Sequence, residues 1–187
     1  MTPYTDLKAG TLLIACPEMI DGIFYRSVIL LCDHSTIGSF GLIINKALSV
    51  ELPDEILGIN EKDNPHLSVR GSGPFQPSQM MLLHTSSHST PASLQVCEGV
   101  TLGGDLEFLQ EACNDPNGPE ILLCLGYCGW GPDKLDQELL NGEWFLHKAS
   151  KELIFNTPPE KIWQTALRDM GGKYAPLSLI PTDLSLN

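Results

Sequence analysis

The sequence predicts an α+β fold in a single domain, residues 1–187, and three observations support this prediction. The chain has 187 residues, which is an ordinary length for one domain. Short runs of β-branched and leucine residues, typical of buried strands, are concentrated in its first half. Segments with helical spacing lie mainly in the second half, so the chain lacks the regular strand–helix alternation of a parallel α/β fold.

Three buried strands are predicted near the start of the chain. They are TLLIAC (Thr11–Cys16), SVILLCD (Ser27–Asp33) and FGLIIN (Phe40–Asn45). The stretch Val28–Cys32 shows no alternation of apolar and polar residues, which indicates that both faces of this strand are covered. The polar segment between the second and third runs favours a hairpin connection.

The middle of the chain predicts a helical turn, two further strands and a helix. The segment LPDEILG has Pro53 near its start and Gly58 at its end, as a short helical turn would. QMMLLH (Gln79–His84) and SLQVCEGVTL (Ser93–Leu102) are predicted as strands. Apolar residues then recur at helical spacing through Gly104–Cys113, which predicts a helix.

The segment that follows predicts a strand, a glycine-rich loop, a helix and another strand. The strand is EILLCL (Glu120–Leu125), and three glycines spaced G-x-x-G-x-G come directly after it. The helix is expected from about Pro132 to Asn141, because Gly142 stops it. EWFLHKA is then predicted as a strand.

The best-marked helix begins at TPPE. Thr157 is predicted to cap it, Pro158 suits the first helical position, and Glu160 completes a T-x-x-E capping box. Gly171 and the glycine after it end the helix, and an irregular tail is expected from about residue 173. The apolar stripe of this helix consists of Ile162, Trp163, Ala166, Leu167 and Met170.

The net charge of −12 is unevenly distributed and argues against nucleic acid as a partner. Residues 98–143 contain ten acidic residues and one basic residue. Nucleic-acid binding draws much of its affinity from Lys and Arg, and no basic cluster is present. The electrostatic field of such a chain repels DNA and anionic membrane surfaces and can steer basic partners. The alternative interpretation is that the charge only keeps the protein soluble.

The location predicted for the protein is the cytoplasm. The start of the chain shows no secretory signal, and the longest apolar runs are far shorter than the roughly 18 residues of a membrane span. The six cysteines form no CxxC pair and sit mostly in apolar runs, which favours reduced core thiols over disulfides. No metal-binding motif and no serine nucleophile elbow occurs, so neither cofactor nor metal is expected.

The glycine-rich segment LGYCGWGPD is poorly suited to phosphate. Pro132 removes an N–H donor, and Asp133 places a carboxylate where the anion would lie, which favours a helix capped by Asp133 itself. Tyr127 and Trp130 are interpreted either as packing anchors of the loop or as contacts for a partner protein. Cys128 is a candidate exposed thiol, although no basic residue nearby in sequence would make it a thiolate.

A second candidate site is the loop-like stretch PEMIDGIFYRS. Arg26 stands beside a predicted buried strand and therefore needs a partner, for which Asp21 and Asp33 are the candidates. The competing hypothesis is that Arg26 clamps the carboxylate of a substrate.

These motifs together resemble the YqgE/AlgH family of bacterial proteins. The stretch LLIACPEMIDGIFYRSVILLCDHSTIGSFGLIINK resembles its opening block, and RGSGPF, LGYCGWGPDKLDQEL and FNTPPEKIW resemble later blocks in the same order. Departures from the family pattern occur at Cys16, Ser72, Cys128 and the pair 132–133. The resemblance implies one compact α+β unit with a mixed, partly barrel-like β-sheet flanked by helices. It implies no catalytic residue and no cofactor.

Three function classes follow from these observations. The first is a cytoplasmic regulatory or interaction protein with an unknown protein partner, which the acidic middle segment together with Tyr127 and Trp130 suggests. Some family members also carry the label of transcriptional regulator, without a recognised DNA-binding motif. The second is a small-molecule binder or an enzyme whose site would bring together Arg26, His34, Asn45 and the glycine loop 126–131. The third is a direct DNA-binding regulator. The candidate ligand- or partner-binding residues are Asp21, Arg26, His34, Asn45, Tyr127, Gly129, Trp130 and Gly131.

Overall fold

The structure is a computed structural model that describes residues 7–20, 22–48, 59, 64–87 and 90–182. Within these residues no helix is both long enough and apolar enough to cross a membrane. The strands are β1 (Thr11–Ala15), β2 (Val28–Ser35), β3 (Gly38–Ile43), β4 (Leu67–Gly71), β5 (Phe75–His84), β6 (Leu94–Cys97), β7 (Val100–Leu102), β8 (Ile121–Trp130) and β9 (Trp144–Lys148). The α-helices are α1 (Leu106–Asn114), α2 (Lys134–Leu140) and α3 (Pro159–Met170). Shorter turns of 3-10 helix lie at Gly22–Phe24 and Ala175–Leu179, and a π-helix spans Glu152–Asn156.

The strands of the described residues form one curled, half-barrel sheet. Its order is β6-β7-β5-β8-β3-β2-β1-β9, and β4 joins it by pairing with β8. All neighbouring pairs are antiparallel except β4 and β8, which are parallel, so the sheet is mixed. The first half of β8 pairs with β4 and β5, and its second half pairs with β3 and, at Tyr127, with Phe75 of β5. The predicted α+β class with a partly barrel-like sheet is therefore confirmed.

The two faces of the sheet bury different helices. Successive residues of β1 point to opposite faces, so Leu12 belongs to one apolar cluster and Leu13 to another. The first face packs against α3, whose Trp163 indole donates to the Ala15 carbonyl at 2.8 Å. On the other face, α2 covers one cluster and α1 covers a separate one. Residues Val28–Cys32 are fully buried, which confirms that both faces of β2 are covered.

Two predicted elements differ from the structure in the way that glycine is used. Residues Ser93–Leu102 were expected as one strand, but they form the β6–β7 hairpin, because Gly99 turns the chain with φ +73°. The glycine-rich segment was expected as a loop, but it continues β8 as far as Trp130. Ladder partners on β3 and β5 hold this segment extended, and neighbouring-strand pairing of this kind is invisible in the local sequence.

The ends of two helices also differ from the predictions. Helix α3 begins at Pro159, its N-cap is Pro158, and no side chain caps it. The predicted capping box is therefore wrong, because the Thr157 hydroxyl donates to the Glu152 carbonyl of the preceding π-helix at 3.1 Å. Asp133 lies at the N-cap of α2 with φ 59°, and its carboxylate makes no capping hydrogen bond. Gly171 ends α3 with φ 66°, as predicted.

The tail is more ordered than the expectation of an irregular segment from residue 173. It contains the 3-10 helix Ala175–Leu179, and it continues to Thr182 along the protein surface. The helical turn expected around Pro53–Gly58 lies outside the described residues.

Candidate functional site

Gly126 of β8 and Gly73, which precedes β5, allow two backbone segments to approach closely. A Cβ atom on Gly126 would lie 2.4 Å from the Gly73 carbonyl oxygen, and one on Gly73 would lie 2.0 Å from the Tyr127 carbonyl carbon. Both glycines have positive φ, +77° and +156°. Any side chain at these positions would push the chain before β5 away from β8. The glycines therefore permit a packed crossing of the chain, which differs from the free N–H cradle of a phosphate loop.

Trp130 is held by a shared carboxylate at the end of β8. The side chain of Glu138 on α2 accepts hydrogen bonds from the Trp130 and Trp144 indole N–H groups, each at 2.8 Å. Trp130 is only 9% exposed and packs in the cluster beneath α2. Phe24 contacts the Trp144 ring edge-on, with centroids 6.0 Å apart. This arrangement favours the packing interpretation of Trp130 over the partner-contact interpretation.

Tyr127 is the middle ring of an aromatic row across the sheet, and Gly129 lies beside it. The half-buried Tyr127 ring contacts Phe40 edge-on and Phe75 in a tilted geometry, with centroids 6.1 and 5.8 Å away. A Cβ on Gly129 would lie 3.4 Å from the Tyr127 ring, an ordinary van der Waals contact, so the aromatic row does not require glycine at this position. The outermost member, Phe75, is 50% exposed.

Cys128 is buried, which contradicts the exposed-thiol interpretation. Its thiol donates weakly to the Ser72 carbonyl, with sulfur and oxygen 3.6 Å apart. Burial, with a smaller contribution from the Glu138 charge, raises the pKa of Cys128 to about 12. The thiol therefore stays protonated at neutral pH and behaves as a small apolar side chain.

Arg26 binds the C-terminal part of the described chain, whereas the sequence predicted a carboxylate partner. Its guanidinium donates to the carbonyls of Ile180 and Pro181, both at 2.6 Å, and lies 4.6 Å from the centroid of the Trp163 ring. No Arg26–Asp33 ion pair forms, because Asp33 is exposed near the far end of β2. The other expected partner, Asp21, is outside the described residues.

Asn45 lies next to Arg26 and has a structural role. Its side-chain amide donates to the Arg26 carbonyl, and its oxygen accepts from the Val28 N–H, both at 2.8 Å. These bonds tie the residues after β3 to the start of β2. Nearby, burial and then the Arg26 charge lower the pKa of Lys46, whose ammonium donates to the Tyr25 carbonyl.

His34 lies at the opposite end of the same hairpin. Its Nδ1 is 2.7 Å from the Ser39 hydroxyl, and both residues line a small cleft of about 120 Å³ with Gly131 and Asp133. Val28 and His34 are six residues apart along β2, or roughly 20 Å in an extended strand. The structure thus pairs Arg26 with Asn45, and His34 with Gly131, at two separate places. The described residues do not gather these four into one small-molecule site.

Several carboxylates border a groove beside α1. The groove has a volume of about 640 Å³ and an apolar lining that includes Phe108 and Ala112. Its carboxylates come from Asp105, Glu107, Glu111 and Asp115, and no Lys or Arg is among the described residues that line it. The Phe108 ring contacts the His84 ring in a tilted geometry, with centroids 4.5 Å apart.

The four carboxylates of the α1 groove differ in their local partners. Asp105 caps α1 by accepting from the Phe108 N–H at 2.9 Å, and Asp115 accepts from the Asn117 N–H at 2.9 Å. Glu107 and Glu111 are exposed, one helical turn apart, and have no ion-pair partner among the described residues. Like charges at this spacing repel each other, so this pair destabilises α1 slightly in the unbound protein.

The sequence predictions did not select these groove residues. The signal was present in two parts: the excess of acidic residues over 98–143, and the helical spacing that places Glu107 and Glu111 on one face. Only the fold shows that Thr90, Ala92 and Ser93 line the same groove as that face. No group of three metal-binding side chains in a suitable arrangement occurs within the described ranges.

Comparisons with known proteins agree with the sequence motifs. Residues 12–175 match the AlgH-like family. A UPF0301 protein of Chlamydia abortus is 49% identical over 99% of this chain and 98% of its own length, and one of Chlorobium limicola is 31% identical over 98% of both. The solution structure of AlgH from Pseudomonas aeruginosa superposes with a TM-score of 0.72 at 27% identity and covers 94% of this chain and 95% of that one. The chain belongs to the AlgH-like family, the YqgE/AlgH family that its motifs resemble.

Proposed function

We propose that this protein is a cytoplasmic regulatory protein that acts by binding a partner protein through the α1 groove. The observation that carries the proposal is the groove itself, where four carboxylates surround an apolar lining and no described cation balances them. A basic segment of a partner would place Lys or Arg side chains against these carboxylates and bury their methylene stems on Phe108 and Ala112.

Electrostatics support a protein partner over DNA. The net charge is −12, and the acidic segment 98–143 includes the whole of α1, so the surface around the groove would repel a phosphate backbone. A regulatory effect on gene expression would then pass through the partner protein. In a mobility-shift titration at physiological salt, we expect no sequence-specific complex between this protein and DNA.

The test is a paired capture experiment with the double variant Glu107→Gln plus Glu111→Gln. These changes remove two exposed charges without changing side-chain size, so the free energy of unfolding should stay within about 0.5 kcal/mol of wild type. We expect a specific partner to be captured by the wild type and lost from the variant. The captured protein should also bind purified wild type directly, with an affinity that falls as salt increases.

A matched control removes the same charge elsewhere. Glu160 and Asp169 are exposed on α3, on a different part of the surface, and Glu160→Gln plus Asp169→Asn should leave the partner bound. Equal loss of the partner from both double variants would show that only net charge matters and would refute a role for the α1 groove. A partner retained by the groove variant would refute it as well.

A further inference from the structure

Strand β9 forms one edge of the sheet, and its hydrogen-bonding pattern leaves a row of backbone groups facing outward. The Cys16 N–H donates to the Glu143 carbonyl, and the Ala149 N–H donates to the Gly10 carbonyl, both at 2.9 Å. The register between them pairs Ile14 with Phe145 and Leu12 with His147. Antiparallel ladders alternate, so Phe145 and His147 exchange hydrogen bonds with β1. The N–H and C=O groups of Trp144, Leu146 and Lys148 therefore point away from β1.

A groove of about 910 Å³ runs along this edge. It is lined by the whole of β9 and, from other elements, by residues that include Leu7, Lys8, Val96, Leu139 and Tyr174. Within the part of the chain that the structure describes, no strand pairs with the outward side of β9. Leu146 is 39% exposed there. An edge with an open ladder and an adjoining groove is the arrangement that accepts an added strand.

The charge of this groove is opposite to that of the α1 groove. Lys8 and Lys148 are exposed at the end of the groove near Thr11, the first residue of β1, which pairs with Lys148. Glu98 is the single carboxylate among the described residues that line the groove. The other end is apolar, with Leu139 and Trp144. In a chain with a net charge of −12, two lysines against one carboxylate make this groove a locally basic surface that complements an acidic ligand.

We propose that the β9 groove binds an extended segment of a partner protein, which adds to the sheet as a strand beside β9. Its backbone would bond the outward groups of Leu146 and Lys148, and its acidic side chains would lie against Lys8 and Lys148. The affinity comes from main-chain hydrogen bonds, and the lysines select the sequence. This site shares no residue with the α1 groove, so the two proposals succeed or fail independently.

The test uses the acetylated, amidated heptapeptide TVTVEVE and its lysine counterpart TVTVKVK. Titration followed by amide exchange should show that TVTVEVE slows exchange of the Leu146 and Lys148 N–H groups. The Phe145 and His147 N–H groups, which already bond β1, serve as the internal reference. The affinity of the lysine peptide TVTVKVK should be lower by about tenfold or more, because charge complementarity with the lysines is lost.

Two substitutions separate strand addition from simple apolar contact. Leu146→Pro removes an outward N–H without breaking the β1 ladder. It should lower the affinity for TVTVEVE about tenfold, which is the effect of one lost hydrogen bond. Leu146→Ala keeps that N–H and should bind more tightly than the proline variant. Lys148→Glu should reverse the preference between the two peptides.

Several results would overturn the proposal. Absence of saturable binding by TVTVEVE is one such result. Another is an unchanged amide exchange rate of the Leu146 N–H when the protein is saturated with the peptide. Equal affinity of the proline and alanine variants would also refute it. Sedimentation of the wild type as a dimer that Leu146→Pro dissociates would assign the edge to a second copy of this chain, which refutes a partner segment. The exchange measurement on wild type decides the matter even if the proline variant fails to fold.

Discussion

The end of β8 and the groove on α1 both place carboxylates beside aromatic rings, but with opposite consequences. At the end of β8, one carboxylate, Glu138, accepts the N–H groups of two buried tryptophans. At α1, Glu107 and Glu111 lie in solvent beside Phe108, with no cation opposite them among the described residues. A satisfied buried group stabilises the fold, whereas an unbalanced exposed group leaves interaction energy available for a ligand.

The difference separates the best-marked sequence motif from the proposed binding surface, the α1 groove. The G-Y-C-G-W-G motif builds a strand, a backbone crossing and a tryptophan anchor. The α1 groove comes from a stretch with no recognisable motif. Changes at the first region should therefore alter stability, and changes at the second should alter binding.

The largest effect is expected from Gly73→Ala at the backbone crossing. The new Cβ would lie 2.0 Å from the Tyr127 carbonyl carbon, in a residue with φ +156°. Because the obstacle is backbone, we expect a loss of roughly 4 kcal/mol or more in the free energy of unfolding. Urea unfolding followed by tryptophan fluorescence measures it.

Gly131→Ala is the matched control for that substitution. A Cβ on Gly131 meets nothing within 4 Å, and this glycine is not among those with positive φ, so the change should stay within about 0.5 kcal/mol of wild type. A similar loss in both variants would contradict the assignment of a packed crossing at Gly73.

A smaller loss is expected from Glu138→Leu. Two indole N–H groups would lose their common acceptor, and we expect a cost of about 2–4 kcal/mol. Glu138→Gln retains one acceptor oxygen of nearly the same geometry and should cost about 1 kcal/mol. Equal midpoints for the two variants in urea would show that the tryptophans do not depend on this acceptor.

The smallest effect concerns His66, which lies near the α1 groove. The Glu120 carboxylate, 3.0 Å from Nδ1, and then the Pro116 carbonyl raise the pKa of His66 above its ordinary 6.5. The pair therefore stabilises the fold fully below pH 6.5, and this contribution is lost as the pH rises through the folded-state pKa.

His66→Gln should remove that pH dependence. Between pH 5.5 and pH 8.5, the wild type should lose more stability than the variant, by less than about 1 kcal/mol because the pair is partly exposed. Urea unfolding at the two pH values measures the difference. A variant with the same pH dependence as the wild type would show that another group causes it.

The sequence predicted most strands but not their partners. Runs such as Val28–Cys32 predict burial on both faces because any covered strand needs apolar residues throughout. The extension of β8 through Trp130 escaped prediction, because its glycines suggest a loop when the paired strands are unknown. The Thr157 cap failed for a similar reason, since the π-helix before it supplies a competing carbonyl.

The candidate residues show the same limit. Arg26 next to a buried strand correctly indicates a need for partners, yet these partners lie more than 150 positions away in the chain, at Ile180 and Pro181. His34 and Asn45 belong to one hairpin, but His34 lies beside its turn and Asn45 follows the end of β3, so antiparallel pairing places them at opposite ends of it.

The sequence by itself determined the family through motifs that occur in the family's order. It also determined the α+β class, the buried strands and the excess of acidic charge, because these depend on composition and local periodicity. The tertiary structure alone decided that the glycine motif is a strand crossing, that Trp130 is inside, and that two grooves of opposite charge lie beside α1 and β9. Those features arise where distant segments meet, and local sequence carries no record of which segments become neighbours.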